Sequence, residues 1–363
     1  MLKTTAFYLM MVFFVAVVLE LMGWTVINSR FPEYEKARQI MLGNNEVALT
    51  RAQRTVGQPY LLYIPAPNYS EKDDNFHHNA DGYRGHRVAV ERTPGILRVL
   101  FLGGSTTYGW AVPKNANSYP EQVRDVLTKN LPDRFKNIEV INAGIPWGTS
   151  AELLTHYHFK FHYYNPDIVV IMTGFNDAQA NTRPFYHPDY SHWRQPVINL
   201  RAVRDRARWM MHSRLFSLLL LNLFFDDLIQ GNHFVQNREP LAPWFSGEIQ
   251  SIPDGNLGFT HNLSTLIREI KEDGSEVILL PPPLNPFPNP PFGPVPPDVF
   301  TQIERHKEIM REIAGKLQVE YAPFPEGDIP EGNWVDMIHV DGIGSRYKAE
   351  HVASSILKLL RIG

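Results

Sequence analysis

Apolar and polar positions change rhythm several times along this chain. From Thr4 to Ile27 the sequence is apolar all round, and Glu20 is its one charged side chain. About 20 such residues cross the hydrocarbon core of a bilayer, so this run predicts a membrane-spanning helix over 4–27. Trp24 is placed as an interfacial anchor, with Glu20 near one membrane surface. A cleaved signal peptide would end in small residues, and Glu20-Leu21-Met22-Gly23-Trp24 offers no such site. Residues 28–95 then read as a polar juxtamembrane extension. It holds a proline-marked extended stretch, Tyr60 to Pro67, and a turn-rich stretch, Asn79 to Gly85. Glycine turns account for the latter; the alternative is that Arg84 frames the rim of a site.

From Ile96 the pattern becomes an alternation of strands and helices. Short apolar runs at Ile96–Leu102, Ile138–Ile141, Asp167–Met172, Glu276–Leu280 and Val319–Ala322 predict five buried strands. Ser118-Tyr119-Pro120-Glu121 and Thr149-Ser150-Ala151-Glu152 carry capping-box spacing and predict helix starts, the second helix reaching about Tyr163. Further helices are expected over 298–316 and 345–361. Strands alternating with helices imply a parallel sheet covered on both faces, giving one α/β domain over 96–363.

Two insertions break this rhythm. Residues 178–256 contain Arg201, Arg204, Arg206 and Arg208, then the apolar stretch Leu215 to Phe225. That stretch is too short to span a membrane and is expected to be a core or lid helix, with an interfacial helix on lipid as the rival. Pro281 to Pro297 is dense in proline and predicts a stiff loop at the carboxyl end of the fourth strand, a wall of the active site.

Composition narrows the function. The 363 residues include 35 Lys+Arg and 38 Asp+Glu, a formal net charge of -3, which argues against a general nucleic-acid binder. There is no cysteine, which excludes disulfides, thiol catalysis and cysteine-based metal sites. Lys3 lies before the apolar run and Arg30, Lys36 and Arg38 after it. Counted alone, that bias keeps the large domain in the cytoplasm, although long domains translocate largely regardless of such charges.

The candidate chemistry sits in four segments: Gly103-Gly104-Ser105-Thr106, Asn142-Ala143-Gly144, Gly174-Phe175-Asn176-Asp177 and Asp336-Met337-Ile338-His339. Parallel sheets open their ligand crevice at the carboxyl ends of the strands, and each segment follows a predicted strand. An alcohol nucleophile needs an adjacent base, a role that suits His339 beside Ser105. Asp336 is the carboxylate at hand to hold one tautomer of that base. Backbone N–H groups of Ser105 and Gly144 and the Asn176 amide are the expected oxyanion donors. Tyr108 and Trp110 are expected to line the substrate pocket. Taken singly, the first segment fits a phosphate-binding turn, but no P-loop lysine follows it. His156, His158 and His162 lack an acidic partner at ligand spacing and are read as ordinary helix histidines rather than metal ligands.

These four blocks resemble the SGNH (GDSL-type) hydrolases, matching Ser105, Gly144, Asn176 and His339, with Asp336 at the family's Asp-x-x-His spacing. The resemblance spans 96–361 apart from the insertions. It implies a flavodoxin-like three-layer α/β/α fold, serine esterase or acyltransferase activity, an acyl-ester substrate, and no metal or organic cofactor. One departure is visible: the first block commonly has Asp before the serine, and here Gly104 stands there. Similarity to anchored, extracytoplasmic members acting on envelope glycans turns the orientation outward. The expected function is deacylation, such as deacetylation, of a cell-envelope carbohydrate. An O-acyltransferase using the same residues and a non-catalytic membrane scaffold are the alternatives.

Overall fold

The computed structural model describes residues 2–30, 35, 38, 54–58, 60–71, 75–182, 186–190, 193, 210–229, 256–287 and 293–362. These fall into two compact units, one of residues 1–57 and 197–233, the other of 58–196 and 234–363. Arg201, Arg204, Arg206, Arg208, Lys36 and residues 288–292 of the proline loop lie outside the described residues.

The larger unit is built on five parallel strands: β1 Ile96–Gly103, β2 Asn137–Gly144, β3 Ile168–Met172, β4 Glu276–Leu280 and β5 Glu320–Tyr321. Their order is β2-β1-β3-β4-β5, the flavodoxin-like arrangement, with its switch point between β1 and β3. The register aligns the carboxyl ends, pairing Gly103 with Gly144 on one side and with Met172 on the other. Strand alternation divides the core in two. Leu100, Leu102, Val169, Ile171 and Leu279 pack on one face against Leu153, Phe259, Leu263, Ile267 and Ile313. Val99, Phe101, Val170 and Ile278 pack on the other against Tyr119, Val123, Val352 and Ile356. Both faces being covered, the strands read as continuous apolar runs rather than alternating ones.

In chain order the helices of the described residues are α1 Leu2–Arg30, α2 Ser105–Tyr108, α3 Tyr119–Thr128, α4 Ser150–Phe159, α5 Phe175–Asn181, α6 Arg214–Ile229, α7 Leu257–Glu272, α8 Pro297–Leu317 and α9 Gly342–Ile362. At the start of α4 the Glu152 carboxylate accepts the Thr149 N–H (2.8 Å) and hydroxyl (2.5 Å), as its capping-box spacing predicts. The box expected at Ser118 does not form, because the Ser118 hydroxyl donates instead to the Asn115 carbonyl at 2.8 Å. α4 also stops short of Tyr163: Lys160 leaves helical geometry and Phe161–Tyr164 makes a 3-10 turn. The last strand is shorter than expected, limited to Glu320 and Tyr321.

The expected boundary at residue 95 has no counterpart in the packing. Tyr63, Tyr83 and Val88 belong to the same core as Leu100 and Ile141, and the compact unit begins at residue 58. Aromatic residues spaced between turns carry no periodicity, so their burial leaves little trace in the hydrophobic pattern. In the smaller unit α1 packs against α6. α1 is long and apolar enough to cross a membrane.

The insertion leaves the larger unit after α5 and returns at Asn256. The two limbs meet where Asn181 Nδ2 donates to Asn256 Oδ1 at 3.1 Å and where the Gly258 N–H donates to the Tyr186 hydroxyl at 3.1 Å.

Candidate active site

Ser105 is the first residue of α2, directly beyond β1, so the strand aims it at the carboxyl edge of the sheet. The His339 loop reaches it from the other end of the chain. There a bridge between Trp334 and Val340, and the Val335 N–H donating to the His339 carbonyl at 2.8 Å, fold Asp336 to His339 into a tight turn. His339 Nε2 lies 2.8 Å from Ser105 Oγ and Nδ1 lies 2.6 Å from Asp336 Oδ2. A carboxylate can only accept, so Nδ1 carries the proton and Nε2 is left to accept the Ser105 hydroxyl.

Asp336 is itself held in place. Its Oδ1 accepts the N–H groups of Ile338 (2.8 Å) and His339 (2.7 Å). Burial pushes its carboxyl up, but hydrogen bonding and charge from His339, with the Ile338 and His339 N–H groups, outweigh that and hold it below the usual value. The proline loop braces the same turn. The Asn285 N–H donates to the Met337 carbonyl at 2.9 Å and Asn285 Nδ2 to the Asp336 carbonyl at 3.2 Å.

A small pocket opens beside Ser105, lined by Gly104, Gly148, Met172, Gly174, Asn176, Pro282 and neighbouring residues. Asn176 stands in the first turn of α5, where Gly174 takes φ +115, a backbone setting that a side chain would strain. One Asn176 Nδ2 hydrogen goes to the Gly148 carbonyl at 2.8 Å, leaving the second available. A Cβ on Gly104 would come 2.7 Å from this nitrogen. Gly104 and the Asn176 amide therefore share one volume, which gives the glycine before the serine a steric reason.

Beneath the pocket lies a fully buried carboxylate, Asp177. It accepts the Ser150 N–H (3.0 Å), the Ser150 hydroxyl (2.6 Å), the Thr173 hydroxyl (3.2 Å) and the Tyr190 hydroxyl (2.6 Å). These bonds tie the segment carrying Gly148 to the turn carrying Asn176. Burial, with the Asp177 charge next, pushes the Tyr190 phenol well above its ordinary value, so it stays a donor.

The structure brings Ser105, Asp336, His339 and Asn176 together. It puts Gly144 and Tyr108 elsewhere. The Gly144 N–H donates to Asn142 Oδ1 at 3.1 Å, and a Cβ there would lie 2.2 Å from the Tyr108 nitrogen. Gly144 thus lets β2 and α2 touch, while Gly148, four residues on, lines the pocket. The signal for Gly148 lay in its place, just before the Thr149-Ser150-Ala151-Glu152 cap that turns the chain into α4. Tyr108 is fully buried with its hydroxyl 2.7 Å from His78 Nε2, and neither Tyr108 nor Trp110 lines the pocket.

Arg84 is buried under this region. Its guanidinium donates to the carbonyls of Tyr108, Gly109 and Val112 and to the Asn115 side chain, at 2.6–2.8 Å. It clamps the chain just after the serine and does not line the pocket. His156 is buried with Nε2 3.1 Å from the Leu61 carbonyl, and burial lowers its pKa to about 4; His158 pairs with Glu269 at 2.7 Å. Among the described residues no cluster of His, Asp and Glu has metal-ligand spacing.

No curated protein sequence matches the chain. Among solved structures, an acetylxylan esterase from Geobacillus stearothermophilus is 15% identical, covering 72% of this chain and 94% of its own with a TM-score of 0.43. The lipase/acylhydrolase from Enterococcus faecalis is 17% identical over 72% of this chain and 95% of its own, with a TM-score of 0.42. The family model for GDSL-like lipases and acylhydrolases matches residues 101–347, and the chain belongs to that family of ester-hydrolysing enzymes.

Proposed function

We propose that this protein is a membrane-anchored serine esterase in which Ser105, His339 and Asp336 form the catalytic triad. The observation that carries this reading is the continuous hydrogen-bonded line from Asp336 Oδ2 through His339 to Ser105 Oγ, at 2.6 and 2.8 Å. Ser105 Oγ attacks the ester carbonyl as His339 Nε2 takes its proton. Asp336 keeps Nδ1–H in place and stabilises the charge that forms on the ring. The tetrahedral oxyanion is met by the Ser105 N–H and the free Asn176 Nδ2–H, with the Gly148 carbonyl fixing the amide. Collapse passes the proton from His339 to the leaving alcohol. Water, deprotonated by the same base, then releases the acid and restores Ser105.

The narrow pocket at Ser105 suits a short acyl group such as acetyl. Pro282 also borders a cleft of about 440 Å³ with Phe300, Tyr321, Phe324, Trp334 and Arg311 on its walls. Flat aromatic and proline faces beside polar groups suit a hydroxyl-rich alcohol, so we propose an acylated carbohydrate as the substrate class. α1 supplies the anchor, with the catalytic domain outside the cytoplasm; a carboxyl-terminal phosphatase fusion that is inactive would reverse that orientation.

Ser105→Ala should abolish turnover of p-nitrophenyl acetate and labelling by a fluorophosphonate probe, while circular dichroism stays unchanged. Undiminished turnover or labelling in this variant would overturn the triad.

A further inference from the structure

We propose that α6 lies within the bilayer beside α1, so that the insertion carries a second membrane-embedded segment; this rests on the reading of α1 as an anchor. Glu20 is the starting point. A carboxylate in an apolar membrane helix is costly and needs partners. Its partners are the Ser213 hydroxyl and the Arg214 N–H, the latter at 2.8 Å. Those residues are the one before α6 and its first. The single charge of α1 is thus met by the amino end of α6, where unpaired N–H groups and the helix dipole favour an anion.

One turn further along α1, Gly23 closes the contact. A Cβ there would sit 2.9 Å from the Leu215 nitrogen, so the two backbones touch. Small residues at such crossings are how helices pack in lipid, where burying apolar surface gives no extra drive. The start of α6 is therefore fixed at the depth of Glu20.

From there α6 has no charged residue between Leu215 and Phe225. The Ser217 hydroxyl is satisfied within the helix, donating to the Ser213 carbonyl at 2.7 Å, as hydrocarbon surroundings require. Phe216, Leu219 and Leu223 lie exposed along one stripe, Leu223 at 73%. α1 exposes Phe13 and Phe14 in the same unit at 71% and 65%. A core or lid helix buries such a stripe, whereas acyl chains cover both helices at once. At about 1.5 Å per residue the 16 residues of α6 extend about 24 Å, short of the roughly 30 Å core. α6 is therefore embedded without spanning, and Asp226-Asp227 marks its return to water.

The absence of native cysteine makes the test direct. Single cysteines replacing Phe13, Leu219, Leu223 or the exposed Glu326 in the full chain are labelled with an environment-sensitive fluorophore. Each is reconstituted into phosphatidylcholine–phosphatidylglycerol vesicles with or without brominated acyl chains. Quenching at 219 and 223 comparable to that at 13, with none at 326, is the expected result. Quenching at 13 alone would overturn the proposal and leave the anchor standing, whereas no quenching at 13 would remove the anchor and this inference together. Efficient disulfide formation between copies at 223, without lipid quenching, would also overturn it by showing that a second chain covers the stripe.

Discussion

Asp336 and Asp177 both stand at the edge of the same pocket, and they make similar numbers of hydrogen bonds. Asp336 is partly exposed on a loop and directs one oxygen at a ring nitrogen whose partner is Ser105. Asp177 is fully buried and spends its acceptors on Ser150, Thr173 and Tyr190. A carboxylate that must answer a change of charge on its neighbour needs a titratable partner, and His339 is one. A carboxylate that must hold geometry is better given donors that stay donors, which the buried Tyr190 phenol does. Placement near the site therefore does not settle a residue's role; the chemistry of its donors does.

The largest effect expected from breaking this contrast is at Asp336. Asp336→Asn removes the acceptor that fixes the His339 tautomer and should lower kcat by about 10⁴-fold with little change in Tm. Asp177→Asn should reverse the balance. Each charge-assisted bond lost costs about 1.5–3 kcal/mol, so Tm falls clearly. Loosening of Asn176 lowers kcat by about 10²-fold, with KM for p-nitrophenyl acetate nearly kept. Loss of stability with kcat untouched would show that Asp177 serves the fold alone.

The glycines give a third, smaller contrast. Gly104→Ala crowds the Asn176 amide and should reduce kcat several-fold while the protein still folds. Gly144→Ala meets backbone atoms of Tyr108 and should yield little folded protein, read as the soluble fraction after detergent extraction.

The smallest effect is a pH-dependent one. Lys348 is buried against the Tyr119 ring, 4.9 Å from its centre, and burial lowers its pKa from 10.5 to about 7. Between those values the unfolded chain holds a proton that the folded chain does not. Stability therefore rises with pH across that window, and the penalty is complete below pH 7. Lys348→Met should raise the thermal inactivation temperature most below pH 7, with the gain shrinking toward pH 10.5.

Much of this was legible beforehand. Strand positions followed from apolar runs buried on both faces, and Ser105, Asn176, Asp336 and His339 from their places after those runs. The choice between Gly144 and Gly148 was not, because both follow β2 and only the path of the chain through Trp147, at φ +62, decides which reaches the pocket. The packing of Tyr63, Tyr83 and Arg84 was hidden for a related reason: irregular chain buries side chains at no fixed period. Tyr108 misled because proximity in sequence to Ser105 says nothing about which way one helical turn faces. α6 reads as apolar in either setting, and only its contact with Glu20 and Gly23 separates it from a core helix.

The closed stem of the insertion has a consequence for how the chain can vary. Because Asn181 meets Asn256 and Tyr186 meets Gly258, the sheet and pocket are sealed before the chain departs. What lies beyond the stem is an attachment whose length the hydrolase scaffold does not sense, since lengthening a closed loop costs only about 0.6 kcal/mol per doubling. Such a stem is a socket: one catalytic body can carry different appendages, and this appendage can be exchanged for a short turn while the chemistry stays where it is.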